Sequence, residues 1–139
     1  MADLTKFESR EATLHCTPEE YYDFITDLRN FGRFIPGEVI KDWQSDADSC
    51  RFSITTMGEV NLKTSSKTPF SSVVFSGNVL VTIDFNLHSF ISSGTNKKAT
   101  VKLLMEANLP PMIKMFAAGP IQNFLETLVI EMEKFENWS

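Results

Sequence analysis

The chain has 139 residues, of which 42% are apolar and 22% charged, and its formal net charge at pH 7 is −5. This length suits a single domain, residues 1–139, with a real hydrophobic core, and the composition excludes a disordered chain. The only adjacent basic pair is Lys97-Lys98, so the sequence offers no basic stripe for nucleic acid or for an anionic membrane surface.

The beginning of the chain lacks a basic segment followed by an apolar core, and no apolar run approaches the roughly 20 residues that cross a bilayer. We therefore expect no signal peptide, no stable membrane insertion and a cytoplasmic location. Cys16 and Cys50 could be paired or free. In a reducing compartment we expect two buried free thiols. The sequence does not indicate the oligomeric state.

Residues 5–16 predict a first strand, and two short helices follow it. Thr17 is expected to cap the first helix, with Pro18 in its first turn and Glu20 completing a capping box. Asn30 is expected to cap the second helix, which Pro36-Gly37 ends. The faces expected to be buried carry Tyr21, Phe24, Ile25 and Leu28 in the first helix, and Phe31, Phe34 and Ile35 in the second.

From Glu38 to Leu109 the apolar residues recur at every second position, which predicts six strands joined by short turns in an antiparallel meander. One face of this sheet is apolar and the other mostly polar. The predicted strands are Val39–Gln44, Cys50–Thr55, Val60–Thr64, Val73–Ser76, Val79–His88 and Thr100–Leu109. The predicted turns are Asp46-Ala47-Asp48, Met57-Gly58, Thr68-Pro69, Gly77-Asn78 and Ser92–Lys97.

The last stretch, Pro110 to Trp138, predicts one long helix. Its apolar residues fall at steps of three and four, with charged residues on the opposite face. Gly119-Pro120 is expected to bend or break this helix, because proline removes one hydrogen bond. The piece before the break is apolar over most of its circumference.

These elements predict an α+β fold. A curved antiparallel sheet of seven strands, with the first strand beside the seventh, would wrap around the C-terminal helix in a helix-grip arrangement. The two short helices would lie between strands one and two.

Several of these segments resemble the START-like or SRPBCC superfamily, which includes polyketide cyclases, lipid-transfer domains and the birch-pollen-allergen fold. The resemblance rests on Thr17 to Asp27, on Asn30-Phe31 with Phe34-Ile35-Pro36, and on Met112 to Met115 with Pro120 to Leu125, which are similar to small bacterial members. It implies a helix-grip fold with an apolar cavity between sheet and helix. It implies no common catalytic signature and no cofactor.

Candidate chemical groups are few. The sequence has no Cys-x-x-Cys and no closely spaced histidine pair, so we expect no metal site. His15 and Cys16 are adjacent on a strand and point to opposite faces, which excludes a catalytic pair between them. Arg10 shares the parity of Ala12 and Leu14, so it could point inward to a ligand carboxylate. A salt bridge with a glutamate at the rim is the favoured alternative.

The apolar residues expected to face the space under the helix form the candidate site; the alternative is a filled core. Methionine suits both an adaptable entrance and plain gap-filling. We expect Met112, Met115 and Phe116 to gate the cavity. The candidate ligand-binding residues are Trp43, Phe52, Ile54, Met57, Leu62, Phe75, Ile83, Phe85, Leu103, Met105, Met112, Met115, Phe116 and Phe124.

Two functions remain open at this point. The first is binding, with transport as an extension, of a hydrophobic small molecule or lipid. The second is a polyketide cyclase or aromatase acting on a hydrophobic substrate. An enzyme would need an acid or base inside the cavity, and the inward positions are almost wholly apolar, with Thr64 and Arg10 as exceptions. Binding is therefore favoured. An interaction role for exposed Leu80 and Leu104 is a weaker third hypothesis.

Overall fold

The computed structural model describes residues 5–55, 58–79 and 83–138, which form an α+β structure. Its antiparallel sheet is curved and has the strand order β1-β8-β7-β6-β5-β4-β3, with β2 also paired to β8. The strands are β1 Thr5–Glu8, β2 Ala12–Thr13, β3 Ile40–Ser45, β4 Ser49–Ile54, β5 Gly58–Thr68, β6 Ser72–Val79, β7 Ile83–Ser93 and β8 Ala99–Ala107. The helices are α1 Pro18–Ile25, a 3-10 helix Leu28–Phe34, a 3-10 turn Thr95–Lys97 and α2 Pro111–Lys134.

The predicted six-strand meander is confirmed as β3 to β8, and the first strand does lie beside the last one. The single strand expected over residues 5–16 is instead two strands on β8. Glu8 pairs with Leu104 and Ala12 pairs with Val101, so three residues of the first strand face two of β8. The extra residue is a bulge, which interrupts the ladder locally. Across this break Ser9 and Leu103 exchange hydrogen bonds of 2.9 Å.

The predicted bend at Gly77-Asn78 is wrong, because both residues lie inside β6. Gly77 pairs with Leu62 on one side and with Phe85 on the other. A Cβ atom at Gly77 would lie 1.9 Å from the carbonyl oxygen of Asn61, so glycine serves a close approach of two strands there. The chain reverses between Val79 and Ile83; residues 80–82, including Leu80, are outside the described part.

The helix start at Thr17 is confirmed in detail. The Thr17 hydroxyl accepts a hydrogen bond from the Glu20 backbone N–H, and the Glu20 carboxylate accepts one from the Thr17 N–H. The 3-10 helix begins earlier than expected and is capped by Asp27, not by Asn30. The Asn30 side chain instead donates to the carbonyl of Phe24, at 3.0 Å. Asp27 competes better for the cap because its carboxylate accepts the Arg29 N–H directly.

The predicted break in the C-terminal helix is absent, since α2 is continuous through Pro120 and ends at Lys134. Pro120 cannot donate to the carbonyl of Phe116, but Phe116 lies on an exposed turn, where water can satisfy that carbonyl. A proline ring also collides with the Cβ of the residue before it in a helix. Gly119 has no Cβ, so this collision does not occur. The residues after Lys134 turn back onto the core and do not extend the helix.

The core lies between the apolar face of the sheet and three helical pieces: α1, the 3-10 helix and the second half of α2. The buried residues of α2 begin at Ile121. At the far end of α2 lies an aromatic cluster, whose ring centroids are 4.9–5.9 Å apart. Its members are Tyr21, Phe24, Phe34, Phe135 and Trp138. This cluster anchors the C-terminal end of α2 to both preceding helices.

Candidate functional site

A small apolar cavity lies between the sheet and α2, with a volume of about 10 Å³. That is about the smallest space that can hold one water molecule, and its walls offer no polar partner. Nine side chains line it: Phe31, Phe52, Val60, Leu62, Phe85, Leu87, Met105, Phe124 and Leu125. The core is therefore nearly filled at the place where the sequence predicts the ligand.

The period-two pattern of the strands explains most of this lining. Residues two apart on a strand share a face, so Val60 and Leu62 on β5 point the same way, as do Phe85 and Leu87 on β7. The helices close the cavity from the other side through Phe31, Phe124 and Leu125. Phe124 is only half-buried, which makes it the most exposed member of the lining.

Thirteen of the fourteen predicted site residues are described, and they divide into four groups. Five of them line the cavity: Phe52, Leu62, Phe85, Met105 and Phe124. Four are buried elsewhere in the core: Ile54, Phe75, Ile83 and Leu103. Trp43 is half-buried and stacks on Phe52, with ring centroids 5.4 Å apart. Met57 lies outside the described residues. The last group is Met112, Met115 and Phe116.

The placement of this last group under the helix is wrong. Met112, Met115 and Phe116 are 75%, 82% and 76% exposed. A helix turns by about 100° per residue, which puts these three side chains on the side of α2 opposite to the buried Leu125 and Leu128. The segment is apolar, but its apolar face points away from the core. None of the three lines the cavity, and their expected role as its gate stays a prediction.

Four lining residues were absent from the predicted set: Phe31, Val60, Leu87 and Leu125. All four lie on faces that the sequence pattern already marked as buried. Their proximity to the cavity depends on how the 3-10 helix and α2 cross the sheet, which residue spacing does not specify.

Thr64 is a polar exception on the inward side of β5, two residues beyond Leu62. Its hydroxyl oxygen is buried and has no hydrogen-bond partner among the described residues. A buried hydroxyl without a partner costs free energy, so such a group is rare in a filled core. Among the inward-facing residues of β5, Thr64 is the polar one closest to the cavity lining.

None of the nine lining side chains can ionise. Arg10 does not point inward: its guanidinium donates to the Glu133 carboxylate, with one N–O distance of 2.7 Å, which confirms the rim salt bridge. His15 is exposed, and His88 bonds Glu106 at 2.7 Å on the outer face of the sheet. In the part of the chain that is described, no three histidine, cysteine or acidic side chains form a metal-binding group.

Both cysteines are free and buried, as the sequence predicts. Burial raises the pKa of Cys16 and of Cys50 to about 12, so neither thiol is ionised near neutral pH. Burial also raises the pKa of Tyr21, whose hydroxyl shares a hydrogen bond of 2.7 Å with Ser89. These groups stabilise the core and offer no nucleophile.

Larger depressions exist on the outer face of the sheet, with volumes of about 570 and 360 Å³. They are open to solvent and lined mostly by polar side chains, among them Arg51, Asn61, Lys63, Ser76 and Asn78. Several of these already bond one another, as Asn61 and Asn78 do at 3.0 Å. For an apolar ligand the small inner cavity is the better site, because its lining is wholly apolar. Neither of the two described α-helices combines the length and apolar character needed to span a bilayer.

No protein-family model and no curated protein sequence matches the chain. Solved structures do match its fold. KanY is 8% identical with a TM-score of 0.72, covering 96% of this chain and 97% of its own. CV1439 from Chromobacterium violaceum is 11% identical with a TM-score of 0.65, covering 95% and 98%. DynU16, from the dynemicin biosynthetic locus, is 11% identical with a TM-score of 0.63; the match covers 93% of this chain and 46% of DynU16.

Proposed function

We propose that this protein is a helix-grip domain of the START-like kind and that it binds a hydrophobic small molecule or lipid between the sheet and α2. The observation that carries this proposal is the composition of the cavity wall: nine side chains from six elements, all apolar, converge beneath α2. Burial of an apolar ligand there is favourable by ~25 cal/mol per Å² of apolar surface.

Binding requires the cavity to expand, because pockets for small molecules measure roughly 300–1,000 Å³. The first half of α2 is the part that can move at least cost. Residues 111–116 are all exposed, so displacing them uncovers little buried apolar surface. The backbone hydrogen bond to Phe116 is missing at Pro120, which lowers the cost of a pivot there. Such a movement would expose Phe124 further and open the cavity beneath it.

Thr64 gives the proposed site a polar end. Its buried hydroxyl has an unused donor and acceptor, and a ligand that carries one hydroxyl or carbonyl could bond to it. We therefore favour an apolar ligand with a single polar group at one end. Replacing Thr64 with valine should weaken binding of such a ligand and leave binding of a purely apolar one unchanged.

A polyketide cyclase or aromatase is the second candidate. The observation that favours it is the likeness to DynU16, which belongs to a biosynthetic locus. The lining has no titratable side chain, and general acid or base catalysis needs one within hydrogen-bond reach of the substrate. Binding is therefore the stronger proposal.

A titration with an environment-sensitive hydrophobic fluorophore tests the proposal. We expect the native protein to bind it saturably. Leu125→Ala should bind the fluorophore more tightly, because a smaller side chain in the lining enlarges the cavity. Leu128→Ala is the matched control: it makes the same change on the same buried face of α2 but does not touch the cavity. It should lose comparable stability without any gain in affinity.

Flat titrations with both the native protein and Leu125→Ala would overturn the proposal. An equal gain in both alanine variants would also contradict it, because the fluorophore would then be reporting a generally loosened core. Circular dichroism at each titration point verifies that every variant remains folded.

A further inference from the structure

The start of α2 exposes a set of large apolar side chains that nothing in the described part of the chain covers. We name it the outward ridge; its members are Met112, Ile113, Met115 and Phe116, with exposed fractions of 75%, 37%, 82% and 76%. Isolated exposed apolar residues are ordinary, but four within five positions are not. The ridge serves neither the core nor the cavity, so it needs a separate explanation.

The geometry of the ridge argues for a partner without a fixed shape. At about 100° per residue its four side chains span an arc of about 160°, on the side of α2 opposite to Leu125 and Leu128. The ridge is convex. It exposes on the order of a few hundred Å², whereas each partner of a stable protein complex buries about 800 Å². It is therefore too small to hold a second copy of the chain by itself.

The charges near the ridge support the same conclusion. Between Ala107 and Leu125 the only charged residue is Lys114, although the whole chain carries −5. Lys114 is exposed and forms no salt bridge among the described residues. At about 100° per residue Lys114 lies on the opposite side of α2 from the ridge, so the ridge itself carries no charge.

We propose that the outward ridge adsorbs reversibly to the surface of an electrically neutral lipid bilayer. Apolar side chains on one side of a surface helix insert at the boundary between headgroups and acyl chains, with an affinity that scales with the buried apolar area. A bilayer needs no complementary groove, so it accepts a convex ridge. The ridge itself carries no charge, and the net charge of −5 opposes binding to a strongly anionic surface. This adsorption does not depend on a ligand in the cavity.

Flotation with phosphatidylcholine vesicles tests the inference. Native protein should float with the vesicles, and less of it should float when part of the lipid is phosphatidylglycerol. Phe116→Ser should lower the vesicle affinity roughly 10- to 100-fold, the factor expected for one large apolar side chain. Phe90→Ser is the matched control, because Phe90 is 44% exposed but lies on β7, away from the ridge. It should float like the native protein.

Three results would overturn the inference. The first is native protein that stays at the bottom of the gradient at millimolar lipid. The second is an equal loss of flotation in Phe116→Ser and Phe90→Ser. The third is a dimer, seen by light scattering of the native protein, that becomes a monomer in Phe116→Ser, because a second copy would then cover the ridge. Binding of a soluble fluorophore is measured separately, so this inference and the cavity proposal can fail independently.

Discussion

The two halves of α2 are both rich in apolar residues, yet they have opposite relations to the rest of the molecule. From Ile121 onwards the helix buries a continuous stripe, and its end is held by the aromatic cluster around Trp138. Before Ala117 every residue of the helix is exposed. The difference shows that apolar content alone does not predict burial in a helix; it also matters whether a given turn of the helix lies over the core.

The anchored half also has polar attachments that have no counterpart in the first half among the described residues. The Gln122 side chain donates to the Glu8 carbonyl at 2.9 Å, and Arg10 pairs with Glu133. Both connect α2 to the β1–β2 edge of the sheet. The cavity lies just after the transition between the two halves, beneath Phe124 and Leu125. A movement confined to the first half would therefore change access to the cavity and leave the anchor intact.

The largest expected difference between the halves concerns their aromatic residues. Trp138→Ala should lower the free energy of unfolding by ~3–5 kcal/mol, because a buried ring with four aromatic neighbours leaves a large cavity. Phe116→Ala, with an exposed ring, should change it by less than ~0.5 kcal/mol. Urea denaturation measures both. Similar losses in the two variants would contradict the division of α2 into anchored and free halves.

A smaller effect is expected at the junction. Pro120→Ala would restore the backbone hydrogen bond to Phe116 and should stabilise the protein by about 1–3 kcal/mol. It should also slow amide hydrogen exchange between residues 112 and 119 and weaken binding of the hydrophobic fluorophore. If exchange in that segment stayed as fast as in the native protein, Pro120 would not be the pivot that we propose.

The smallest effect concerns the salt bridge at the rim. The hydrogen bond from Arg10 holds the pKa of Glu133 below its ordinary value of 4.5. Stability from a lowered carboxyl pKa is present above the unfolded value and is lost as the pH falls through the folded value. Glu133→Gln should therefore reduce the loss of melting temperature between about pH 6 and about pH 3, most clearly at low salt. Identical pH profiles for the two proteins would mean that the pair contributes nothing measurable.

Much of this fold follows from local sequence signals. The capping box at Thr17 and the alternation of Cys50, Phe52 and Ile54 each act within a few residues, so they predict their elements well. The predicted turn at Gly77 was wrong because glycine occurs both in turns and where two strands approach closely. The close approach here is to the Asn61 carbonyl of β5, which is distant in sequence. Trp138 belongs to the core only because the chain turns back after Lys134, which no local pattern indicates.

The candidate site was less accessible to sequence reasoning. Strand parity identified Phe52, Leu62, Phe85 and Met105 correctly as facing the space under the helix. The prediction for Met112, Met115 and Phe116 rested on the apolar composition of their segment. It did not take into account their angular position on α2 relative to Leu125. The volume of the cavity depends on how all the large side chains pack together, and this is a property of the whole core rather than of any motif.

The most direct test of the binding proposal uses the methyl groups of methionine, followed by NMR while a hydrophobic fluorophore is added. Met105 lines the cavity, Met115 lies on the outward ridge, and Met132 is buried in the anchored half of α2. We predict a saturable shift of the Met105 signal, with the same midpoint as the fluorescence titration, and little change at Met132. A shift confined to Met115, with Met105 unchanged at saturation, would contradict binding between the sheet and α2.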